Sequence, residues 1–393
     1  MQFHIDDIRE LLSRRPAAPA FDPGDALRAI AIPRLTGSEG AATVTAEVRA
    51  RFEALGYRVA EQDFTFNPWT GRWGITIAGA ILFIGGLAAA SMLYFGHAVG
   101  AIIVLVSVLL LCLGIAFLLQ RMLDRLNIGQ VKGKNLLVSA EGSRPHYLLM
   151  AHRDSKSQPI PLAFRGPAII LSAVAWIVLM ILALMSTVEL VEHSIVIAAG
   201  TLAVISGVIL IFSWVDNNSP GALDNATGVA TLLGIAERER GASDVAFLVT
   251  DAEELGLAGA RAIARQLPPV YGVINFDGLD DAGVFQVVED FGWPRRRGKA
   301  PHLAAALLSA GAALDMEVHR RSVPFGIMLD HIPIVEAGTP ALTLMRGSLA
   351  SLRRVHRPID DLNHLRGAGV SSAVEITTAA LYLLRLREQD VKP

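Results

Sequence analysis

Between Trp73 and Gln120 the sequence contains no Asp, Glu, Lys or Arg. Roughly 48 uncharged residues are enough for two membrane crossings of about 20 residues each, and Gly96-His97 with Gly100 offers a turn between them. Two more charge-free runs, Gly166 to Val188 and Ser194 to Val215, are separated by Glu189, Glu192 and His193 and read as a second hairpin. A pair of soluble helices needs a polar face, and these runs show none. The expectation is four transmembrane helices in two hairpins, 73–120 and 166–215, each returning the chain to the side it left. Composition agrees, since 52% hydrophobic and 18% charged residues is too apolar for an ordinary soluble enzyme. Trp73 and Trp214 stand at run edges, where interfacial aromatics belong. The runs offer no charged group for an ion or proton path, which argues against a transporter.

The remaining pieces, 1–72, 121–165 and 216–393, carry soluble α/β patterning. The chain starts Met1-Gln2-Phe3-His4-Ile5-Asp6-Asp7, without the basic start and apolar core of a secretory signal. Helical spacing runs from Ala41 to Leu55, Gly56 ends it, and Tyr57 to Phe66 alternates like a strand. A net charge of -2 with no dense basic block gives no reason to expect nucleic acid as a partner. The single cysteine, Cys112, forms no intrachain disulfide.

Ionisable residues collect where apolar runs stop. Val245 to Thr250 reads as a buried strand and is followed by Asp251-Ala252-Glu253-Glu254. Adjacent side chains at such an end diverge, so one carboxylate can hold a metal while the other handles protons, although paired glutamates also commonly open a solvated helix. Tyr147 to Ala151 runs into His152-Arg153-Asp154, a spacing that suits a ligand imidazole oriented by a carboxylate and also fits a surface histidine. Asp224-Asn225, in the Gly-framed loop Gly221 to Val229, reads either as a helix cap or as a metal-bridging position. Val273 to Asp277 is another apolar run ending in a carboxylate, and His356 lies in a loop before a closing helix of about Val370 to Leu386.

His152, Asp224, Glu253-Glu254, Asp277 and His356, in that order, resemble the cocatalytic-zinc aminopeptidases of peptidase family M28. Leu35 to Gly40 and Leu329-Asp330-His331-Ile332-Pro333 are similar to further family segments, with Leu329 where Ser is usual. The resemblance implies two zinc ions per chain: Asp224 bridging, His152 and Asp277 on one ion, Glu254 and His356 on the other. Glu253 is then the general base and Asp154 orients His152. It also implies a peptide substrate and a single α/β domain with a mixed, mostly parallel sheet flanked by helices, here interrupted by the two hairpins. Arg153 stands in the family's usual aromatic position, a departure that leaves the metals untouched and leaves open a change in the pocket.

Together these readings describe a membrane-bound zinc metallopeptidase, foremost an aminopeptidase, with a lipid bilayer as its other partner. The alternatives are an inactive family member serving as a receptor or scaffold, and a glutaminyl cyclase, a single-zinc transferase on the same fold. Arg72, Arg121, Arg125, Lys132, Lys134, Lys156 and Arg165 flank the hairpins on the domain side and the tips carry no Lys or Arg, so the expected location is the plasma (inner) membrane with the catalytic domain in the cytoplasm.

Overall fold

The computed structural model describes residues 5–15, 21–114, 120–125, 127–189, 191–292, 296–298, 300–323 and 327–391. The chain divides into two compact units, one made of Met1–Thr65, Lys132–Lys156 and Asn217–Pro393, the other of Phe66–Val131 and Ser157–Asp216.

The first unit is built on eight strands: β1 (Arg58–Phe66), β2 (Val131–Ser139), β3 (Tyr147–His152), β4 (Val245–Thr250), β5 (Gly272–Leu279), β6 (Val284–Asp290), β7 (Val318–Ser322) and β8 (Ala341–Gly347). They form one sheet in the order β1-β2-β4-β3-β5-β8-β6-β7. The middle, β4-β3-β5-β8, is parallel, while β2 and β6 run antiparallel to β4 and β8. Every residue of β3 and β4 is buried, as strands covered on both faces require. Side chains alternate between two cores: Tyr147, Leu149 and Ala151 join Phe247 and Val249 in one, and Leu148 and Met150 join Ala246 and Leu248 in the other. The larger core lies under helices Pro23–Ile30, Glu39–Ala54, Thr227–Arg238, Pro301–Ala313 and Ala368–Val391, the smaller under Ala258–Ile263 and His331–Glu336.

Register places the strand ends level. His152 pairs with Thr250 across β3 and β4, and Met150 with Asn275 across β3 and β5, so His152 and Asp277 each lie two residues beyond paired positions. Carboxyl ends of neighbouring parallel strands are where α/β sheets bind ligands. The paired glutamates do not open a helix, because the next one starts only at Ala258.

The second unit is helical. Trp69–Tyr94, Leu162–Met185 and His193–Ile211 are long and apolar enough to cross a membrane. A fourth apolar helix, Ala98–Gly114, is shorter over the described residues, and 115–119, which complete the expected span, lie outside them. Gly96 and His97 form the first turn as expected, whereas Gly100 lies inside the following helix. Helices begin earlier than the charge-free runs, so Arg72 and Arg165 fall in their first turns. Arg165 is buried and donates to Gln158 Oε1, while Gln158 Nε2 donates to the Ser213 carbonyl at 2.9 Å.

Small residues bring the first and last helices of this unit together. A Cβ on Gly79 would stand 2.7 Å from Ile211 N, and one on Gly200 would stand 2.6 Å from Ala90 Cβ. Small residues let helix backbones approach closely, and that approach supplies the packing.

Candidate metal centre

His152 ends β3 with its imidazole fully buried. Nδ1 is 3.2 Å from the Asp154 carbonyl and 3.5 Å from Asp154 Oδ1, which turns Nε2 toward the other acidic residues. The Asp154 carboxylate also accepts the backbone N–H groups of Glu253 (3.2 Å) and Glu254 (3.1 Å). One side chain thus orients the imidazole and pins the turn that carries both glutamates.

Asp224 is positioned by its backbone. Asp360 accepts from Leu223 N (2.8 Å) and Asp224 N (3.1 Å). Gly221 starts the loop at φ 57°, where a Cβ would lie 2.5 Å from both Asp224 O and Ser155 Cβ. The Asp224-Asn225 peptide is cis. Asn225 Oδ1 accepts from Gly228 N at 2.9 Å and Gly278 N at 3.2 Å, so Asn225 does the work of a cap and also ties the loop to β5. Asp224 caps nothing. Beneath the loop, Arg34 is buried and donates to the carbonyls of Ile32 (3.1 Å), Gly221 (2.8 Å), Pro220 and Arg153. Ala252 and His356 hold φ of 58° and 62°, costly for residues with a Cβ and sustained where packing over-determines them.

The six side chains converge. Asp224 lies between the two histidines, Oδ1 3.2 Å from His152 Nε2 and Oδ2 2.9 Å from His356 Nε2. His152 Nε2 is 3.8 Å from Asp277 Oδ1, and His356 Nε2 is 3.3 Å from Glu254 Oε2. Two triads offer ligand atoms within 4.8 Å of one another: His152, Glu253 and Asp277, and Asp224, Glu254 and His356. Ligands at about 2.1 Å from a tetrahedral zinc stand roughly 3.4 Å apart, which these spacings bracket. His152 Nε2 and Glu254 Oε1 are buried and, among the described residues, have no hydrogen-bond partner. Orphaned donor atoms facing shared space are what metal ligands offer an ion, so the donor set fits zinc.

Electrostatics follow from burial. Burial alone would lower the His152 pKa, but Glu253 and the adjacent carboxylates of Asp154, Asp224 and Asp277 reverse this and hold it well above its usual value. Asp224 stays well below the carboxylate range because bonds to His152 and His356 overcome its burial. Glu254 is treated alike, overcoming burial through His356 and Lys156 to reach about 2. Burial pushes Glu253 well above its usual value, with Glu254, Asp277 and Asp330 adding and His152 opposing. Burial also raises Asp277, takes Asp330 to about 7 and takes Asp360 to about 6.

All six residues read from the sequence as ligands or base meet in this pocket, with Asp154 behind them. Arg153 follows His152 in the chain. It is buried with Asp251, Nη2 to Oδ2 2.7 Å, and also donates to the carbonyls of Ala41 and Lys134. Asp251 accepts in addition from Thr36 Oγ1 at 2.7 Å, so both belong to the frame around the site. The sequence reading assigned no site role to Arg34, Lys156, Asp330 or Asp360. Asp360 was within reach, as it closes the segment that begins at His356.

Residues 205–381 match peptidase family M28, a range that includes Asp224, Glu253, Glu254, Asp277 and His356 and leaves out His152. No curated protein sequence matches the chain. Among solved structures, a zinc aminopeptidase from Bacillus subtilis aligns with a TM-score of 0.54 at 13% identity, covering 94% of this chain and 96% of its own. The glutaminyl cyclase of Fimbriiglobus ruber aligns at 0.54 and 17%, covering 94% and 99%. An aminopeptidase from Aneurinibacillus sp. strain AM-1 aligns at 0.54 and 14%, covering 95% of each chain. At these identities the likeness shows a shared fold.

Proposed function

We propose that this chain, which carries the M28 peptidase match over residues 205–381, is a membrane-anchored zinc aminopeptidase with two zinc ions. The observation that carries the reading is Asp224 standing between His152 and His356 with one carboxylate oxygen toward each. His152, Asp277 and one Asp224 oxygen would hold the first ion; Glu254, His356 and the other Asp224 oxygen the second. Zinc at these positions supplies Lewis acidity toward a peptide carbonyl and toward the attacking water. Glu253, whose raised pKa suits a group that both takes and returns a proton, accepts one from that water and passes it to the leaving amine. Asp154 keeps the His152 tautomer fixed with Nε2 toward the pocket.

The reading includes four membrane-spanning helices, Ala98–Gly114 belonging to one of them, and a catalytic unit in the cytoplasm. Domain-side Arg and Lys and hairpin tips without Lys or Arg support that orientation. A C-terminal reporter fusion active only outside the cytoplasm overturns it.

A glutaminyl cyclase is the second reading, favoured by the alignment with the Fimbriiglobus ruber enzyme at the same TM-score as the aminopeptidases. The two separate on substrate. Purified, zinc-loaded protein is given peptides with varied N-terminal residues, including Gln. Stepwise release of free N-terminal amino acids supports the aminopeptidase; ammonia released from N-terminal Gln with every peptide bond intact supports the cyclase and sinks the first reading.

A further inference from the structure

The two triads are not equivalent. Lys156, four residues beyond His152, places Nζ 2.6 Å from Glu254 Oε2. Its side chain is 14% exposed and that of Glu254 only 2%, so the pair is largely withdrawn from water. The same Oε2 lies 3.3 Å from His356 Nε2, so the ammonium joins the Asp224, Glu254 and His356 triad directly. Ionic partners of His152 are Asp154, Asp224 and Asp277, and among the described residues no lysine joins that side.

A lysine ammonium has three donors and no lone pair, so it cannot ligate a metal. It is instead a fixed positive charge on an oxygen that an ion in the second triad needs. A divalent cation entering there either shares Glu254 with the ammonium, at the cost of like-charge repulsion in a poorly solvated pocket, or breaks the buried pair to displace it. Both routes weaken that ion and leave the first largely untouched. Resting on the metal-centre reading above, we propose that Lys156 acts as a tethered counter-cation that makes the two sites unequal. The chain holds one zinc ion firmly at His152 and Asp277, and a second at Glu254 and His356 only in competition with its own lysine. Occupancy of the second site then follows the free zinc concentration, and Lys156 sets the concentration at which it fills.

The test is zinc binding by the full-length protein in detergent, stripped of metal and titrated against a chromophoric chelator. The wild type is expected to bind two ions in steps whose dissociation constants differ at least tenfold. Lys156→Met, which keeps most of the stem and removes the charge, should tighten the second step by roughly 10–100-fold, the usual scale for groups next to a metal ligand, and leave the first within about threefold. Lys156→Arg should keep the steps apart, and Lys156→Gln replaces the Met variant if that one does not fold. Equal affinities in the wild type, or a second step unmoved by removing the charge, overturn the proposal. No zinc uptake by the wild type at all overturns the metal-centre reading and this inference with it.

Discussion

In the helical unit, helices come close at residues with no side chain, Gly200 facing Ala90 and Gly86 facing Ala203. At the strand ends of the α/β unit they join ionisable groups, His356 to Asp224 at 2.9 Å and Lys156 to Glu254 at 2.6 Å. The first arrangement is satisfied by contact alone and asks only that nothing larger be present. The second buries more carboxylates than it has cations to meet them, an arrangement that costs free energy unless something binds. A region built for stability needs no ligand, and a region that spends stability on burying charge points to its function.

That contrast is open to attack from either side. Glu253→Gln should have the largest effect: turnover falls by about 10²–10⁴-fold, the usual yield of a positioned base, while zinc per chain stays at the wild-type level. Metal analysis and initial rates on the same preparation check this, and a rate within tenfold of wild type removes Glu253 from the chemistry.

Acidity should move the metal-free and zinc-loaded proteins in opposite directions. Without metal, Asp330 (about 7), Asp360 (about 6) and His152 hold their protons more tightly folded than unfolded. Stability from such groups is complete below the unfolded pKa and is lost as pH rises through the folded one. Asp224 and Glu254, held low, contribute stability that is lost only in stronger acid. Metal-free protein should therefore melt higher at pH 5 than at pH 8. Zinc-loaded protein should lose its metal-dependent gain over the same range, because protons compete for the ligands. Melting curves with and without chelator decide it, and parallel trends would mean that these groups are not ligands.

The smallest effect belongs to the helices. Gly79→Val forces a side chain to within 2.7 Å of the Ile211 and Leu210 backbone, and overpacking of this kind costs about 1–3 kcal/mol. Melting temperature in detergent should fall with zinc content unchanged. If zinc is lost as well, the two units are not separable in the way their packing implies.

Legibility in the sequence divides along the same line. Charge-free runs announce apolar helices because lipid-compatible composition is itself the signal, yet the helix starts at Trp69 and Leu162 are hidden, because Arg72 and Arg165 look like boundaries. Strands β3, β4 and β5 and their terminal His and carboxylates were readable, since an apolar run that stops at an ionisable group is unusual. The far side of the sheet, β8, β6 and β7, is not legible in the sequence. β7 is Val-His-Arg-Arg-Ser, an edge strand without the apolar content that reveals a buried one. Asp224 stayed ambiguous because a helix cap and a ligand call for the same residue, and only the fold shows Asn225 taking the first role. Arg34, Lys156 and Asp360 act through carbonyls, a carboxylate and backbone N–H groups far away in sequence, contacts that no local pattern encodes.

The central claim, that the convergence on Asp224 is a metal centre, is tested most directly by anomalous diffraction at the zinc edge from crystals soaked in excess zinc. The account predicts one peak between His152 and Asp277 and a second between Glu254 and His356, with Asp224 touching both. Zinc-saturated crystals with no peak beside Asp224 would contradict it.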